Sequence, residues 1–252
     1  MIFVFDLDGT ICFNGESLSY EMREALDVCI QHGHEIIFAS ARPIRDLLPV
    51  LPKRYRHFRM VGGNGAFTFE NGKMHVRTFT PNLVLKIKRL IEKYHLTYLV
   101  DSDWDYSYTG EVQHSIFRNL DPEKRAENKS LDELKMITKI VLFTTTDEIK
   151  HNLSHLPVQI YEHGRENLLD ISPLGIHKMN GLNQLGIQSG EFIAFGNDQN
   201  DLELFRNATY SVCVGEHAMK EYATISIKKE NVPATIKNIS DYAKHYNEAL
   251  KT

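Results

Sequence analysis

With 252 residues and a net charge of −4, the chain is long enough to bury a sizeable core, in one large or two smaller domains. Charges of both signs are interspersed, which argues against a nucleic-acid-binding protein, and no apolar run approaches the roughly 20 residues of a membrane span. Cys12, Cys29 and Cys213 are far apart and unpatterned, which favours a reducing compartment over a disulfide framework or zinc site. Residues 1–5 are typical of a strand rather than a signal peptide, and we expect a cytoplasmic protein.

The first part of the chain alternates short apolar runs with a helical pattern. Residues 2–5 and 35–39 are apolar without alternation, as in strands buried on both faces of a parallel sheet. Between them, apolar residues recur every three or four positions from Ser19 to Gly33, which predicts an amphipathic helix. Residues 59–62 predict a third strand. This order is typical of a Rossmann-like, doubly wound α/β sheet.

The middle of the chain has a different pattern, in which strands are more frequent. Asn71-Gly72 lies between two alternating runs and predicts a β-hairpin. Residues 82–95 predict an amphipathic helix, and the charged stretch 118–135, which has no core pattern, predicts a solvated loop and helix. The excess of strands indicates an inserted α+β domain. The predicted domains are a core formed by residues 1–80 and 174–252 and an insertion formed by residues 81–173.

After Gly175 the alternation of helices and strands returns, so the core sheet continues there. Helical patterns are predicted at 177–185, 199–206 and 233–250, and strands at 192–196, 210–215 and 223–227. Polar groups follow three of the buried strands, at Asp6, at Ser40 and at residues 196–198. Because ligands bind beyond the carboxyl ends of parallel strands, we expect these groups to face one crevice.

Two carboxylates stand two positions apart directly after the first strand. In extended backbone, Asp6 and Asp8 would point to the same side, and Gly9 lets the chain turn sharply and bring its amides near an anion. Two like charges at this distance raise the pKa of one carboxyl unless a cation lies near them. The difference in pKa would divide the pair into a nucleophile or metal ligand, which stays ionised, and a proton carrier. The alternative is a capped surface turn.

Four segments together resemble the motifs of the haloacid dehalogenase-like (HAD) phosphohydrolases, in the family's order and over nearly the whole chain. The segments are Asp6-Leu7-Asp8-Gly9-Thr10, Ser40 within Ala39-Ser40-Ala41-Arg42, Lys178, and Phe195-Gly196-Asn197-Asp198-Gln199-Asn200-Asp201. Asn64-Gly65-Ala66 followed by the Asn71-Gly72 hairpin is similar to the Cof-type subgroup, which carries a large α/β cap of the class IIB kind. The resemblance implies that the insertion is this cap.

The resemblance implies a phosphatase that works through an aspartyl-phosphate. In this reading Asp6 is the nucleophile, and Asp8 protonates the leaving alcohol and later deprotonates water. The implied phosphate-binding residues are Gly9, Thr10, Ser40, Ala41 and Lys178. The implied cofactor is Mg²⁺, held by Asp6, the backbone carbonyl of Asp8, Asn197 and Asp201.

One departure from the family pattern concerns the metal. The fourth motif usually begins Gly-Asp, and this chain has Gly196-Asn197. Asparagine offers a carbonyl oxygen without a charge, so we expect weaker metal binding, with Asp198 directed elsewhere and Asp201 supporting the site. A degenerate phosphate-binding module is therefore one alternative function, and a phosphoryl transferase or mutase of the same superfamily is another.

The expected substrate is a small phosphate monoester, with sugar phosphates as the default of the Cof-type group. A cap that closes over the core would exclude water and contact the leaving group. The candidate substrate-binding residues are Arg42, Asn64, Trp104, His163 and Arg165. His151 and His155, four apart on a predicted helix, have a metal-ligand spacing but are interpreted as a solvated helix face, and we expect a monomer or homodimer.

Overall fold

The structure is a computed structural model that describes residues 1–13, 15, 17–164 and 166–249. It divides into two compact units, of which the first comprises Met1–Met74 and His177–Thr252 and the second His75–Ile176. The insertion predicted at residues 81–173 lies inside the second unit. Within the described residues, no helix is both long and apolar enough to cross a membrane.

The secondary structure follows the predicted alternation closely. The strands are β1 (Ile2–Phe5), β2 (Glu35–Ala39), β3 (Met60–Gly62), β4 (Phe67–Glu70), β5 (Lys73–Val76), β6 (Tyr98–Asp101), β7 (Tyr106–Tyr108), β8 (Lys139–Leu142), β9 (Val158–His163), β10 (Leu168–Pro173), β11 (Phe192–Gly196), β12 (Tyr210–Val214) and β13 (Ile225–Ile227). The helices are α1 (Tyr20–Gln31), α2 (Ile44–Leu47), α3 (Pro81–Lys93), α4 (Ser115–Asn119), α5 (Asp147–Ser154), α6 (Lys178–Gln184), α7 (Leu202–Asn207) and α8 (Val232–Ala249). The helix predicted at 199–206 begins instead with a 3₁₀ turn, Gln199–Asp201.

The sheet of the first unit has the order β13-β12-β11-β1-β2-β3-β4-β5. Neighbours from β13 to β3 pair in parallel, and β4 runs antiparallel to β3. Val4 and Ile37 belong to one face, which packs against α6 and α7. Phe3 and Phe38 alternate with them and belong to the opposite face, where α1 packs against β2 and α8. The predicted Rossmann-like α/β fold class is confirmed.

The predicted hairpin joins β4 to β5. Its two turn residues, Asn71 and Gly72, have φ angles of +53° and +74°. A two-residue turn that matches the twist of its strands needs positive φ at both positions, which Asn-Gly adopts with little strain. The hairpin ends the first sheet at the edge beyond β3.

The second unit is an antiparallel sheet in the order β7-β6-β8-β10-β9. Helices α3 and α5 pack on one face, where Ile87 and Leu153 belong to the same core cluster as Val100 of β6. Leu99 and Val141 belong to a separate cluster on the other face. Alternate strand residues are therefore buried on both faces, as in an α+β unit.

The charged stretch 118–135 is less solvated than its composition predicts. Leu120 and Leu134 are each only 7% exposed, and they belong to the clusters on the two faces of the second sheet. Isolated leucines in a charged background show no period that would predict their burial. The prediction of a stretch without core residues is wrong at these two positions.

Candidate active site

Three strands of the first sheet end side by side, and a polar residue follows each of them. Asp6 follows β1, Ser40 follows β2, and Asn197 follows β11, in a sheet where β11, β1 and β2 are adjacent and parallel. The sheet hydrogen bonds continue past the strand ends: the N–H of Asp6 donates to the carbonyl of Phe195 at 2.9 Å, and that of Ser40 to the carbonyl of Val61 at 2.8 Å. The three residues are thus fixed at one edge of the sheet.

The Asp6 carboxylate is buried and has hydrogen-bond donors at both oxygens. Its Oδ2 accepts from Thr10 Oγ1 at 2.8 Å, and its Oδ1 accepts from Lys178 Nζ at 2.7 Å. Burial raises the pKa of Asp6 to about 7; Lys178 lowers this pKa, and the nearby Asp201 carboxylate raises it. A further cation beside Asp6 would favour its ionised form, which a nucleophile requires.

Lys178 is fully buried at the first position of α6. Its Nζ donates to Asp6 Oδ1 and, at 2.6 Å, to Asp201 Oδ1. Burial opposes the positive charge, but the two carboxylates outweigh it and raise the pKa of Lys178, so the side chain remains an ammonium. His177 caps the helix through Nδ1, which accepts from the N–H of Asn180 at 3.3 Å. The cap fixes the start of α6, and with it this cation.

A tight turn after β1 carries Asp8 out of the core. The N–H of Thr10 donates to the carbonyl of Leu7 at 3.1 Å, and Gly9 has a φ of +78°. A methyl group on Gly9 would displace the side-chain amide of Asn197, and the positive φ itself favours glycine at this position. The Asp8 side chain is 46% exposed, in contrast to that of Asp6. The two carboxylates therefore stand in different environments.

The segment after β2 carries the second motif, and its Arg42 contacts Asp8 of the first motif. The N–H of Arg42 donates to Ser40 Oγ at 3.1 Å, and a hydroxyl that accepts one hydrogen bond can donate another to an anion. The Arg42 guanidinium donates to both oxygens of Asp8, at 2.8 and 2.6 Å. Ala41 lies between Ser40 and Arg42 in the chain. Arg42, predicted as a substrate-binding residue, thus contacts the predicted acid–base residue.

The fourth motif is organised by Asp201, which is fully buried. Its Oδ2 accepts from the backbone N–H groups of Asn197 at 2.8 Å and Asp198 at 3.2 Å, while its Oδ1 accepts from Lys178. Asp198 in turn caps the 3₁₀ turn by accepting from the N–H of Gln199 at 2.7 Å. Both oxygens of Asp201 are engaged with protein donors, which is the arrangement of a supporting residue.

Asn64 connects the second and fourth motifs from within the core. It is 1% exposed and has a φ of +57°, in a turn between Gly63 and Gly65. Its N–H donates to the carbonyl of Ser40 at 3.1 Å, and its Oδ1 accepts from Asn200 Nδ2 at 3.0 Å. Asn200 has no predicted role of its own, because nothing in one sequence pairs two asparagines that are 136 positions apart.

A divalent metal at this edge would have a mixed set of oxygen donors. Among the residues described, no group of three or more His, Cys, Asp or Glu side chains is placed to hold a metal ion. The predicted donors would be the Asp6 carboxylate, the Asp8 carbonyl and the Asn197 amide, of which the last lies against Gly9. Oxygen donors of these kinds are the ones that Mg²⁺ takes. The donor chemistry fits Mg²⁺ with a low ligand charge.

The remaining predicted residues belong to the second unit. Trp104 follows β6, and its Nε1 donates to the carbonyl of Arg125 at 2.8 Å. His163 ends β9. Because β6 and β9 run in opposite directions, Trp104 and His163 lie at opposite ends of the sheet. Arg165 lies outside the described residues.

The parallel sheet and the buried Asp–Lys–Asp cluster at its carboxyl edge are those of an α/β enzyme. The chain belongs to the haloacid dehalogenase-like hydrolase family, whose sequence profile matches residues 3–239. It is 23% identical to the 5-amino-6-(5-phospho-D-ribitylamino)uracil phosphatase YitU of Bacillus subtilis, over 88% of this chain and 90% of that protein.

Solved structures agree with the fold. The HAD subclass IIB sugar phosphatase BT4131 is similar with a TM-score of 0.77 and 21% identity, covering 98% of each chain. SMU.1108c from Streptococcus mutans is similar with a TM-score of 0.79 and 21% identity, covering 94% of this chain and 98% of that one. The predictions of a Cof-type HAD hydrolase and of an enzyme are confirmed.

Proposed function

We propose that this hydrolase is a magnesium-dependent phosphatase of small phosphate monoesters, with Asp6 as its nucleophile. The observation that carries the proposal is the Asp6 carboxylate, held between Thr10 and Lys178 at the carboxyl edge of the sheet. A buried carboxylate beside a permanent cation suits attack on a dianionic phosphoryl group, because the cation offsets the repulsion. Sheet hydrogen bonds hold its backbone in place.

The proposed reaction has two displacements. An Asp6 oxygen attacks phosphorus, the bond to the ester oxygen breaks, and the leaving alkoxide takes a proton from Asp8. Water then attacks the aspartyl-phosphate and gives a proton to Asp8 as inorganic phosphate leaves. The proton that Asp8 gives to the alkoxide is thus replaced by the one that it takes from water. The half-exposed Asp8 is open to the leaving group and to that water, whereas Asp6 is buried.

The residues around Asp6 would bind the phosphoryl group and a metal. Ser40 and the backbone of Gly9, Thr10 and Ala41 supply donors for the phosphoryl oxygens, and Lys178 supplies charge. Asp6, the Asp8 carbonyl and Asn197 would hold Mg²⁺, and a bound Mg²⁺ would supply electrostatic stabilisation of the phosphoryl charge. Asp201 would keep Lys178 and the fourth-motif backbone in position.

Sugar phosphates are the proposed substrate class. This substrate class is supported by the similarity of the chain to one protein named as a sugar phosphatase and to another named for a phosphorylated ribityl compound. Trp104, His163 and Arg165 remain predicted substrate-binding residues. A cytoplasmic location is part of the proposal, supported by the free, buried thiols of Cys29 and Cys213.

The test is phosphate release from a panel of sugar phosphates and other monoesters, with MgCl₂ and with EDTA. Asp6→Asn is the matched variant, since it keeps the volume of the side chain and removes the nucleophilic charge. Magnesium-dependent release that Asp6→Asn abolishes is the expected result. Turnover of Asp6→Asn near that of the parent would refute the mechanism, and no release with any ester would favour the degenerate phosphate-binding module. Phosphate transfer to an added sugar would identify the transferase.

A further inference from the structure

Helix α5 of the second unit carries two histidines one turn apart, outside the proposed active site. His151 and His155 are both exposed, and their Nε2 atoms lie 3.4 Å apart. Their ring centroids are 4.7 Å apart. Leu153 between them is fully buried in the core of this unit, which fixes the backbone of the turn. The two imidazoles thus bring a nitrogen each to within 3.4 Å of the other at the surface.

This separation is the one that a shared metal requires. Two nitrogens bound at about 2.0–2.1 Å to a tetrahedral zinc stand roughly 3.3–3.4 Å apart. A direct hydrogen bond between the rings would be weak, because nitrogen donors and acceptors prefer about 2.7–3.2 Å. We propose that His151 and His155 form a bidentate surface site for a transition-metal dication of the zinc, nickel and copper class, with water completing the coordination.

The surroundings of the pair suit a cation. The neighbouring ammonium of Lys150 is paired at 3.4 Å with both Asp147 and Glu162, which lowers its repulsion of a metal. The pair also lies at the carboxyl end of α5, where the helix dipole favours positive charge. Ser154 Oγ donates to the carbonyl of His151 at 2.8 Å and holds the last turn together.

The two imidazoles are the protein's whole contribution to such a site. Across residues 1–13, 15, 17–164 and 166–249, no third His, Cys, Asp or Glu side chain joins a metal-binding group. A two-ligand site binds in the order that imidazole imposes, with Cu²⁺ above Ni²⁺ and Zn²⁺, and it does not take the oxygen-preferring Mg²⁺. A metal that bridges one helical turn also stabilises that turn against fraying.

The test is calorimetric titration of the untagged chain with ZnCl₂ and NiCl₂, in excess MgCl₂ so that oxygen sites are occupied. We expect one-to-one binding that is weakened at least tenfold in His151→Ala and in His155→Ala. His75→Ala removes another exposed histidine of the same unit and should bind like the parent. All three changes are at exposed positions, so folding and phosphate release should be unaltered.

Two results would overturn the proposal. One is the absence of zinc or nickel binding by the parent chain. The other is parent-like binding in either His151→Ala or His155→Ala, because a bidentate site cannot survive the loss of one ligand. Melting temperature gives an independent readout: ZnCl₂ should raise it in the parent and in His75→Ala but not in the two pair variants.

Discussion

Arg42 forms a two-pronged ion pair with Asp8, with Nε 2.8 Å from Oδ2 and Nη2 2.6 Å from Oδ1. The Arg42 side chain is 10% exposed and that of Asp8 is 46% exposed, so the more buried partner holds the more exposed one. A planar guanidinium fixes the plane of a carboxylate as well as its position, which a lysine does not. Arg42 is therefore a positioning residue for the proposed proton carrier.

We expect Arg42→Lys to keep the charge and lose this alignment. With an alkyl phosphate, whose leaving group needs a proton, kcat should fall roughly tenfold with little change in KM. With p-nitrophenyl phosphate, whose leaving group needs little help, the loss should be smaller. Steady-state kinetics with both esters measure the difference.

Arg59→Lys is the control for Arg42→Lys. Arg59 also forms an ion pair, with Glu35 at 2.5 Å, but near the start of β2, at the opposite edge of the sheet. Arg59→Lys should leave the rates with both esters unchanged. An equal loss with the two esters in Arg42→Lys, or a change confined to KM, would instead make Arg42 a phosphate ligand.

The hydrogen bond between Asn64 and Asn200 leads to a second prediction. Asn64→Gly accepts the φ of +57° and removes the side chain with its bond to Asn200, whereas Asn64→Ala also strains the backbone, by about 1–2 kcal/mol. Both variants should lose turnover, roughly tenfold if the bond positions the fourth motif. Only Asn64→Ala should show the additional loss of stability in urea denaturation.

Asn200→Ala supplies the matched test from the other side of this bond. Asn200→Ala should lose as much turnover as Asn64→Gly. The double variant should lose no more than either single variant, because all three remove the same hydrogen bond. Additive losses would mean that the two asparagines act separately.

The sequence predicts the sheet and much of its carboxyl edge because local patterns determine both. Asp6 and Ser40 each follow an apolar strand, and parallel strands bring such ends together. The hydrogen bonds from Arg42 to Asp8 and from Asn200 to Asn64 are not predictable in the same way. They depend on side-chain directions and on loops that approach only in the folded chain, over 34 and 136 positions.

The second unit shows the same limit more strongly. Trp104 and His163 are predicted substrate-binding residues because both lie on segments that link strands. Antiparallel strands place successive ends on opposite sides of a sheet, which puts these two residues at opposite ends of it and which the sequence pattern does not reveal. Leu120 and Leu134 are buried although nothing periodic marks them. Burial there is decided by tertiary packing, which composition does not record.

Asn197 gives a third prediction, on metal affinity. Asn197→Asp has nearly the same shape and adds one negative charge where the amide lies against Gly9. Because affinity for hard cations rises with ligand charge, the Mg²⁺ concentration that gives half-maximal rate should fall about tenfold. The rise in melting temperature on adding MgCl₂ should increase in parallel, which gives a readout independent of turnover.

The double variant Asn197→Asp/Asp198→Asn keeps the net charge and moves the carboxylate by one position. If position 197 contacts the metal, the double variant should bind Mg²⁺ as tightly as Asn197→Asp. Affinity no higher than the parent's in the double variant would mean that only the total charge matters and that Asn197 is not a ligand.

His34 gives a fourth prediction, on stability against pH. It is buried against Phe3, and its Nε2 lies 2.8 Å from the carbonyl of Ser240 in α8. Burial lowers the pKa of His34 below its ordinary value of 6.5, and this effect outweighs the hydrogen bond to the Ser240 carbonyl, which acts to raise the pKa. As pH falls below about 6.5, the unfolded chain takes up a proton at this position before the folded chain does. The free energy of unfolding should therefore decrease, by at most about 1.4 kcal/mol per pH unit from this group.

His34→Gln removes the titration while keeping an N–H donor for the Ser240 carbonyl. We expect it to be less stable than the parent at pH 7.5, by about 1 kcal/mol for the altered packing, but to lose less stability between pH 7.5 and 5.5. Urea denaturation at the two pH values measures the difference, with His75→Gln, an exposed histidine, as the control that should keep the parent's slope. A parent-like slope in His34→Gln would mean that other groups account for the acid sensitivity. A shallower slope would identify the contact between His34 and α8 as an acid-sensitive point of the first unit.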